Sequence, residues 1–292
     1  MKQLTVISGK GGTGKTSVTA SLAVLTEKVV MADCDVDAAD LHLVLAPRIL
    51  SRQPFSGGKQ AWIDASICAM CQHCVELCRF EAVHCSGETC SIDGTACEGC
   101  GVCARFCPTG AIRFEDAQNG EWYLSETRVG PMVHARLGIA EENSGKLVSL
   151  VRDEARKIAN RQQRNTIIID GSPGTGCPVI ASITGTDLAL LVTEPTLSGL
   201  HDMERVADLT EHFRIPTMIA INKWDINPEL TSRIEATAAH RHLMVGGRIR
   251  YDRCVTEAQI RGRAVVELAE APAAADLENL WHSVQKVLHP GT

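Results

Sequence analysis

The chain has 292 residues, a net charge of −6 and thirteen cysteines. It has no long Lys/Arg run, which argues against wholesale nucleic-acid binding, and no uninterrupted apolar run long enough to cross a bilayer. The opening MKQLTVIS lacks the charged, apolar and small-residue order of a signal peptide, so a cytoplasmic protein is expected, with thiols serving as metal ligands rather than disulfides.

In chain order, short and nearly continuous apolar runs occur at Leu4–Ser8, Lys28–Asp35, Thr166–Asp170, Leu188–Glu194 and Thr217–Asn222, with a weaker one at His242–Ile249. Runs of this kind predict strands buried on both faces. Helical patterns lie between them. Leu147, Leu150, Val151, Ala155, Ile158 and Ala159 share one stripe, with Asn143 or Ser144 as N-cap. The tail places Leu277, Leu280, Trp281, Val284 and Leu288 on one face. Alternating strands and helices predict an α/β, doubly wound parallel sheet. From Ser56 to Asp116 the alternation stops, and ten of the thirteen cysteines fall there. The expected organisation is a discontinuous host domain, 1–55 and 117–292, with a small α+β insertion at 56–116.

The stretch GKGGTGKT, Gly9–Thr16, fits the phosphate-loop pattern G-x-x-x-x-G-K-[ST] between a strand and a helix-compatible run. Gly9, Gly11, Gly12 and Gly14, with Thr13 among them, let backbone N–H groups curl round phosphate oxygens. Lys15 is expected at the β- and γ-phosphates, Thr16 at Mg²⁺ and Ser17 near the α-phosphate. Lys10 is a second lysine beyond the pattern's need. Asp33, Asp35 and Asp37 end the second strand at the edge where open α/β sheets bind ligands. Asp33 and Asp37 are read as solvated or helix-capping. Asp170 ends a later strand and is placed to hold Mg²⁺ through water. The glycine-rich Gly171–Gly176 behind it is expected to switch with the γ-phosphate. INKWD, Ile221–Asp225, resembles a base-reading motif in which the Asn222 amide bonds the purine edge and Asp225 suits guanine.

Two cysteine runs share the spacing C-x₂-C-x₂-C-x₃-C. In bacterial two-cluster ferredoxins the fourth cysteine of each run ligates the other cluster. One [4Fe–4S] cluster is therefore expected on Cys68, Cys71, Cys74 and Cys107, and the other on Cys97, Cys100, Cys103 and Cys78. A trailing proline, Pro108, follows only the second run; Arg79 follows the first. Zinc needs four ligands and leaves eight cysteines in two identical runs unexplained. Cys85 and Cys90, between the runs, are read as hairpin side chains that could also pair or bind metal. Cys34 and Cys254 are read as buried thiols.

The residues KGGTGKT resemble the deviant phosphate loop of the MinD/ParA/Mrp/nitrogenase-iron-protein superfamily. Together with DCDVDAADLHL, the two cysteine runs, HARLGIAEENSGKLV, DGSPGTGCPVIASITGTDLALLVTEPTLSGLHD and INKWDIN, they make most of the chain similar to one branch, MinD-type (SIMIBI) P-loop ATPases with an inserted ferredoxin domain. The resemblance implies a homodimer closed by ATP. It implies that Lys10 reaches the partner's phosphates and that Asp35 orients the attacking water or acts near Mg²⁺. It also implies ATP/ADP as the nucleotide, with GTP second. The implied activity is ATP hydrolysis coupled to electron transfer through two [4Fe–4S] clusters to a redox partner. The alternatives are cluster assembly and delivery to an acceptor protein, as in the Mrp branch, or a MinD/ParA-like positioning ATPase with structural or redox-sensing clusters. Cys177 stands seven residues after Asp170, at the offset of a cluster-holding cysteine in the nitrogenase iron protein, but the second cysteine of that site is missing. It is read either as a ligand shared between subunits or as a buried thiol. MinD proteins bind membranes with a basic C-terminal helix; the tail here has one lysine, so packing on the sheet is expected instead. No nucleic-acid or membrane partner is expected.

Overall fold

Thr166–Asp170 sets three consecutive isoleucines between polar ends, and it becomes an inner strand of a nine-stranded sheet. The computed structural model describes residues 1–138, 144–268 and 270–290. Asn143, one of the two candidate N-caps, lies outside them. In chain order the elements are β1 (Lys2–Ser8), α1 (Lys15–Val24), β2 (Val29–Asp33), α2 (Leu41–Leu45), β3 (Arg48–Phe55), β4 (Gly58–Ile63), α3 (His73–Leu77), β5 (Val83–Ser86), β6 (Thr89–Ile92), α4 (Val102–Arg105), β7 (Ile112–Ala117), β8 (Gly120–Thr127) and β9 (Gly130–Leu137). There follow α5 (Ser144–Arg161), β10 (Thr166–Pro173), α6 (Cys177–Ile183), β11 (Leu188–Thr193), α7 (Leu197–His212), β12 (Thr217–Asn222), α8 (Pro228–His240), β13 (Met244–Ile249), α9 (Arg253–Ile260) and α10 (Pro272–Leu288).

The chain divides into two compact units. The first is built on Met1–Arg52, Trp122–Arg136 and the chain from Ser144; the second is built on Gln53–Glu121. The division falls outside the 56–116 span because the chain leaves the first unit within β3 and returns within β8. Neither strand is a continuous apolar run: β3 is largely exposed along its length, and β8 is only half-buried.

The sheet order is β13-β12-β11-β1-β10-β2-β9-β8-β3. From β13 to β9 each adjacent pair is parallel. β8 and β9 are joined by Arg128 and Val129 alone, a connection only a hairpin allows. Successive side chains feed opposite faces. Leu4, Val6, Met31 and Leu190 pack on one side with Leu277, Leu280 and Trp281 of α10. Ile7, Leu191 and Ile219 pack on the other with Ile183, Met203 and Ile234 of α6, α7 and α8. Each such side chain contributes about 1.5–3 kcal/mol by leaving water. The expected tail stripe is buried, and α10 packs on β13. β1 is the switch point of the sheet. The chain steps from it toward β2 on one side and later toward β11 on the other, and the crevice at its C-terminal end is where such sheets bind ligands.

In the second unit β4 pairs antiparallel with β7, and β5 with β6. Among the described residues its buried apolar side chains are few, and apart from Phe55 they are mostly small, among them Ala61, Ala82, Val83 and Ala111. Neither α3 nor α4 buries a residue. A unit of this size with so thin a core falls in the class that needs metal or covalent staples.

Candidate functional site: a glycine loop and two cysteine loops

β1 ends at Ser8 and the chain turns directly into the glycine loop. Gly12 and Gly14 stand at φ +80 and +89, left-handed values that side chains resist. At Gly14 a Cβ would also run into the side-chain amide of Asn222. α1 begins at Lys15, so its first backbone N–H groups lie beside the loop, ready for an anion. Thr13 is buried, and among the described residues its Oγ1 has no hydrogen-bond partner. Such an orphan in a glycine loop fits a phosphate oxygen. The loop opens on a cavity of about 800 Å³, with Asp35, Asn222, Ile249, Tyr251 and Val255 on its walls.

Lys15 is almost fully buried. Its Nζ lies 2.8 Å from Asp170 Oδ1 and 3.3 Å from Asp35 Oδ2. Thr16 donates to Asp170 Oδ2 and Thr19 to Asp170 Oδ1, both at 2.9 Å. Asp170 therefore gathers the lysine, the Mg²⁺-candidate threonine and a second threonine one turn later on α1. Burial works against the charge of Lys15, but Asp170, Asp35 and Asp33 outweigh it and hold its pKa above the usual lysine value. Asp35 is pushed up by burial, with Lys15 opposing.

Asp33 is not the solvated residue expected. It pairs in register with Asp170 on adjacent inner strands and is 1 % exposed. Burial, then the nearby Asp170 charge, raises its pKa well above the carboxylate range. Asp37, by contrast, is exposed. Of the segment expected to switch, Gly171–Pro173 continue β10, and Gly174 N–H donates to Ser8 O at 2.8 Å.

Lys10 points away from the Lys15 cluster. Its Nζ meets Glu194 Oε1 at 2.8 Å and Ser198 Oγ at 2.9 Å. Lys223 takes the other carboxylate oxygen, Glu194 Oε2, at 3.1 Å and also donates to Gly12 O at 3.2 Å. Burial raises the Glu194 pKa, but the two lysines outweigh burial and leave it below the usual value. Glu194 and Lys223 were not singled out from the sequence. The available signal was a carboxylate just beyond the end of β11, on the ligand edge of the sheet.

Asn222 uses both ends of its amide locally. Nδ2 donates to Thr13 O at 2.7 Å, and Oδ1 accepts from Lys223 N–H at 3.0 Å. Asp225 accepts from Tyr251 N–H at 2.7 Å. In this arrangement Asn222 braces the glycine loop. Ser17 Oγ accepts from Gln259 Nε2 at 2.9 Å, which ties the start of α1 to α9.

In the second unit, Cys68, Cys71, Cys74 and Cys107 line one small cavity with Ile63 and Pro108. Cys103 lies within electrostatic reach of Cys97 and Cys100, and α3 packs beside α4. Burial raises the pKa of Cys74 and Cys103, and the neighbouring thiols add to it. The two runs share their backbone. Met70 and Gly99, which precede the second cysteine of each run, have φ +56 and +61. Gln72 and Gly101, which follow it, have φ +60 and +72. Two non-glycine residues accept left-handed conformations that cost about 1–2 kcal/mol each. A repeated turn of this kind curls backbone N–H groups toward a common centre, as a sulfide-rich anionic cluster requires. The cysteine set therefore fits [4Fe–4S] ligation. Among the described residues no three His, Cys, Asp or Glu side chains converge closely enough to hold a single ion; the corners of a cube stand further apart than the ligands of one ion.

The remaining cysteines meet expectation only in part. Cys85 and Cys90 form a disulfide across the β5–β6 hairpin. Cys34 is buried, and burial raises its pKa, but Cys254 is only half-buried. Cys177 is exposed at the start of α6, which removes the buried-thiol reading.

A glycine loop after the central strand of a doubly wound sheet, with a buried lysine and strand-end aspartates, defines a P-loop nucleotide-binding protein. The chain belongs to the CobQ/CobB/MinD/ParA nucleotide binding domain family, which matches residues 4–265. An uncharacterized protein of Methanocaldococcus jannaschii is 33% identical over 235 residues, covering 77% of this chain and 79% of that protein. The septum site-determining protein MinD of Pyrococcus horikoshii, solved with Mg-ADP, shares the fold at TM-score 0.61 and 18% identity, over 100% of this chain and 98% of that one. A 7Fe ferredoxin of Hydrogenibacillus schlegelii is 37% identical over 57 residues, 19% of this chain and 73% of the ferredoxin. No helix among the described residues is long and apolar enough to cross a membrane.

Proposed function

We propose that the protein is an ATP-hydrolysing iron–sulfur protein in which nucleotide-driven closure of a homodimer is coupled to electron transfer to a redox partner. The observation that carries the reading is that one chain holds both a buried Lys15–Asp170–Asp35 cluster beside its glycine loop and two cysteine loops of matching left-handed backbone. Likeness to a ferredoxin over a short stretch supports the second half, and family membership the first.

Lys15 and the loop N–H groups would hold the β- and γ-phosphates. Thr16, with Asp170 behind it, would hold Mg²⁺, which neutralises phosphate charge. With nucleotide bound, Lys15 would turn from its carboxylates to the phosphates, Asp170 would stand beside the Mg²⁺ held by Thr16, and Asp35 would be left to orient water. Tyr251, Ile249 and Val255 offer a flat base an apolar and aromatic wall. ATP is favoured over GTP because the Asn222 amide and Asp225 carboxylate are already engaged within the chain. Lys10 is a third exposed and held by a flexible ion pair, so it is free to be exchanged for a phosphate across a dimer. Cys68, Cys71, Cys74 and Cys107 would hold one cluster, and Cys97, Cys100, Cys103 and Cys78 the other. When bound, these clusters supply one-electron transfer.

The test uses anaerobically purified protein. The reading expects about eight irons per chain. It also expects ATP hydrolysis per chain to rise with protein concentration and Lys10→Ala to abolish that rise. Wild-type hydrolysis by Lys10→Ala removes the trans-acting lysine. Loss of clusters to an acceptor apoprotein, with no redox turnover, favours the carrier alternative.

A further inference from the structure

The disulfide in the second unit is placed where a structural staple has little to do. Cys85 and Cys90 are five residues apart and directly opposed in a hairpin already held by four cross-strand pairs. Closing so short a loop removes little chain entropy. Its position relative to the first cysteine run is specific. Cys90 is buried, and it lines the same small cavity as Cys68, Cys71, Cys74 and Cys107. Its Sγ lies 3.6 Å from the Sδ of Met70, which sits inside that run between Cys68 and Cys71. Cys85, the other half, is partly exposed. Cys90 thus lies at the ligand cavity, and Cys85, bonded beside it, is in part open to solvent.

We propose that Cys85–Cys90 is a redox centre, a two-electron disulfide/dithiol couple that is reduced from the cluster side through Cys90 and passes its electrons to an external disulfide through Cys85. The proposal rests on the reading of the cysteine runs as cluster ligands. Reduction breaks the S–S bond. Two electrons, one from each reduced cluster, and two protons from solvent leave Cys85 and Cys90 as thiols. The partly exposed Cys85, as thiolate, attacks one sulfur of an incoming disulfide; a mixed disulfide forms and one substrate thiolate leaves. Cys90 then attacks Cys85 Sγ, re-forms the internal bond and releases the second substrate thiol. The external disulfide gains two electrons and two protons, and both clusters end oxidised. The hairpin register keeps the two cysteines opposed in either state, so reclosure needs no search. The two carriers also match in capacity: two one-electron donors fill one two-electron acceptor.

The experiment is an anaerobic reductive titration of the cluster-loaded full-length chain with reduced methyl viologen, beside Cys85→Ser/Cys90→Ser. Wild type is expected to take about four electron equivalents and the double variant about two, at equal iron content. Iodoacetamide labelling read by mass spectrometry is expected to mark Cys85 and Cys90 in wild type after reduction of the loaded protein, and not after the same treatment of the apoprotein. Equal uptake by both proteins at full iron content overturns the disulfide proposal alone, as does labelling of both cysteines before any reductant is added. Loss of iron in the double variant also overturns it, by making these cysteines ligands. A wild-type chain that binds no iron removes the cluster reading and this proposal together.

Discussion

Lys10 Nζ sits 2.8 Å from Glu194 Oε1 of its own chain, although 184 residues separate the two in sequence. Any role for Lys10 in a partner's site must first break this contact. The pair is partly exposed, so water and salt screen it and it contributes at most about 1 kcal/mol. Glu194→Gln should therefore tighten ATP-dependent dimerisation, by up to about fivefold. Sedimentation equilibrium with a slowly hydrolysed ATP analogue checks this. Unchanged or weaker association means that Glu194 does not restrain Lys10.

Lys15 is also a structural residue when no nucleotide is bound. Lys15→Ala leaves Asp170 and Asp35 without their cation in a buried site. Breaking a buried pair in this way costs about 3–5 kcal/mol. Thermal unfolding without nucleotide should show that loss, and Mg-ATP, which should raise the melting temperature of wild type, should leave that of the variant unmoved. A variant as stable as wild type would mean that the carboxylates are neutral already.

His134 on β9 gives the fold an acid dependence. Its Nε2 lies 2.8 Å from Ser125 Oγ, and its ring stacks on Tyr123 at 4.9 Å. Burial, assisted by His42, lowers its pKa to about 4. The folded state keeps it neutral while the unfolded chain protonates it near pH 6.5, so the unfolded state binds more protons between those values. Stability should therefore fall as pH drops from about 6.5 to about 4, by about 3 kcal/mol in all, and level off below. His134→Gln should flatten that slope in urea unfolding measured across the range. An unchanged slope would assign it to other groups.

The cysteine loops respond differently to glycine. Gln72 holds φ +60 and Gly101 holds φ +72 at matching positions of the two runs. Gln72→Gly should relieve a left-handed cost of about 1 kcal/mol and leave iron content unchanged. Gly101→Ala should introduce that cost and press a Cβ on the Phe114 ring, 3.0 Å away. Iron should then leave the second site first under a chelator. Equal chelator sensitivity in the two variants would show that the loops are not under this constraint.

Much of this architecture was legible because inner parallel strands are written as unbroken apolar runs. Thr166–Asp170, Leu188–Thr193 and Thr217–Asn222 needed no tertiary information. β8 and β9 escaped because Glu126, His134 and Arg136 break their apolar pattern, and only the fold buries His134 against Ser125. Lys15, Thr16 and Asp170 were readable from a local motif and a strand end. Glu194 was not, since its partner lies at the other end of the chain. Asp33 was misplaced in water because β2 is flanked by β10 and β9, a sheet position invisible in ADCDVD. Asn222 shows the reverse limit. Its residue type suited a purine edge, but in the fold its amide donates to Thr13 O of the glycine loop.

The most direct measurement is the reduction potential of the clusters in one anaerobic preparation of about eight irons per chain, with and without Mg-ATP. Coupling between the phosphate site and the cysteine loops predicts a nucleotide-dependent shift in potential that Lys15→Ala abolishes. Identical potentials in both conditions, with ATP bound and hydrolysed normally, would contradict it.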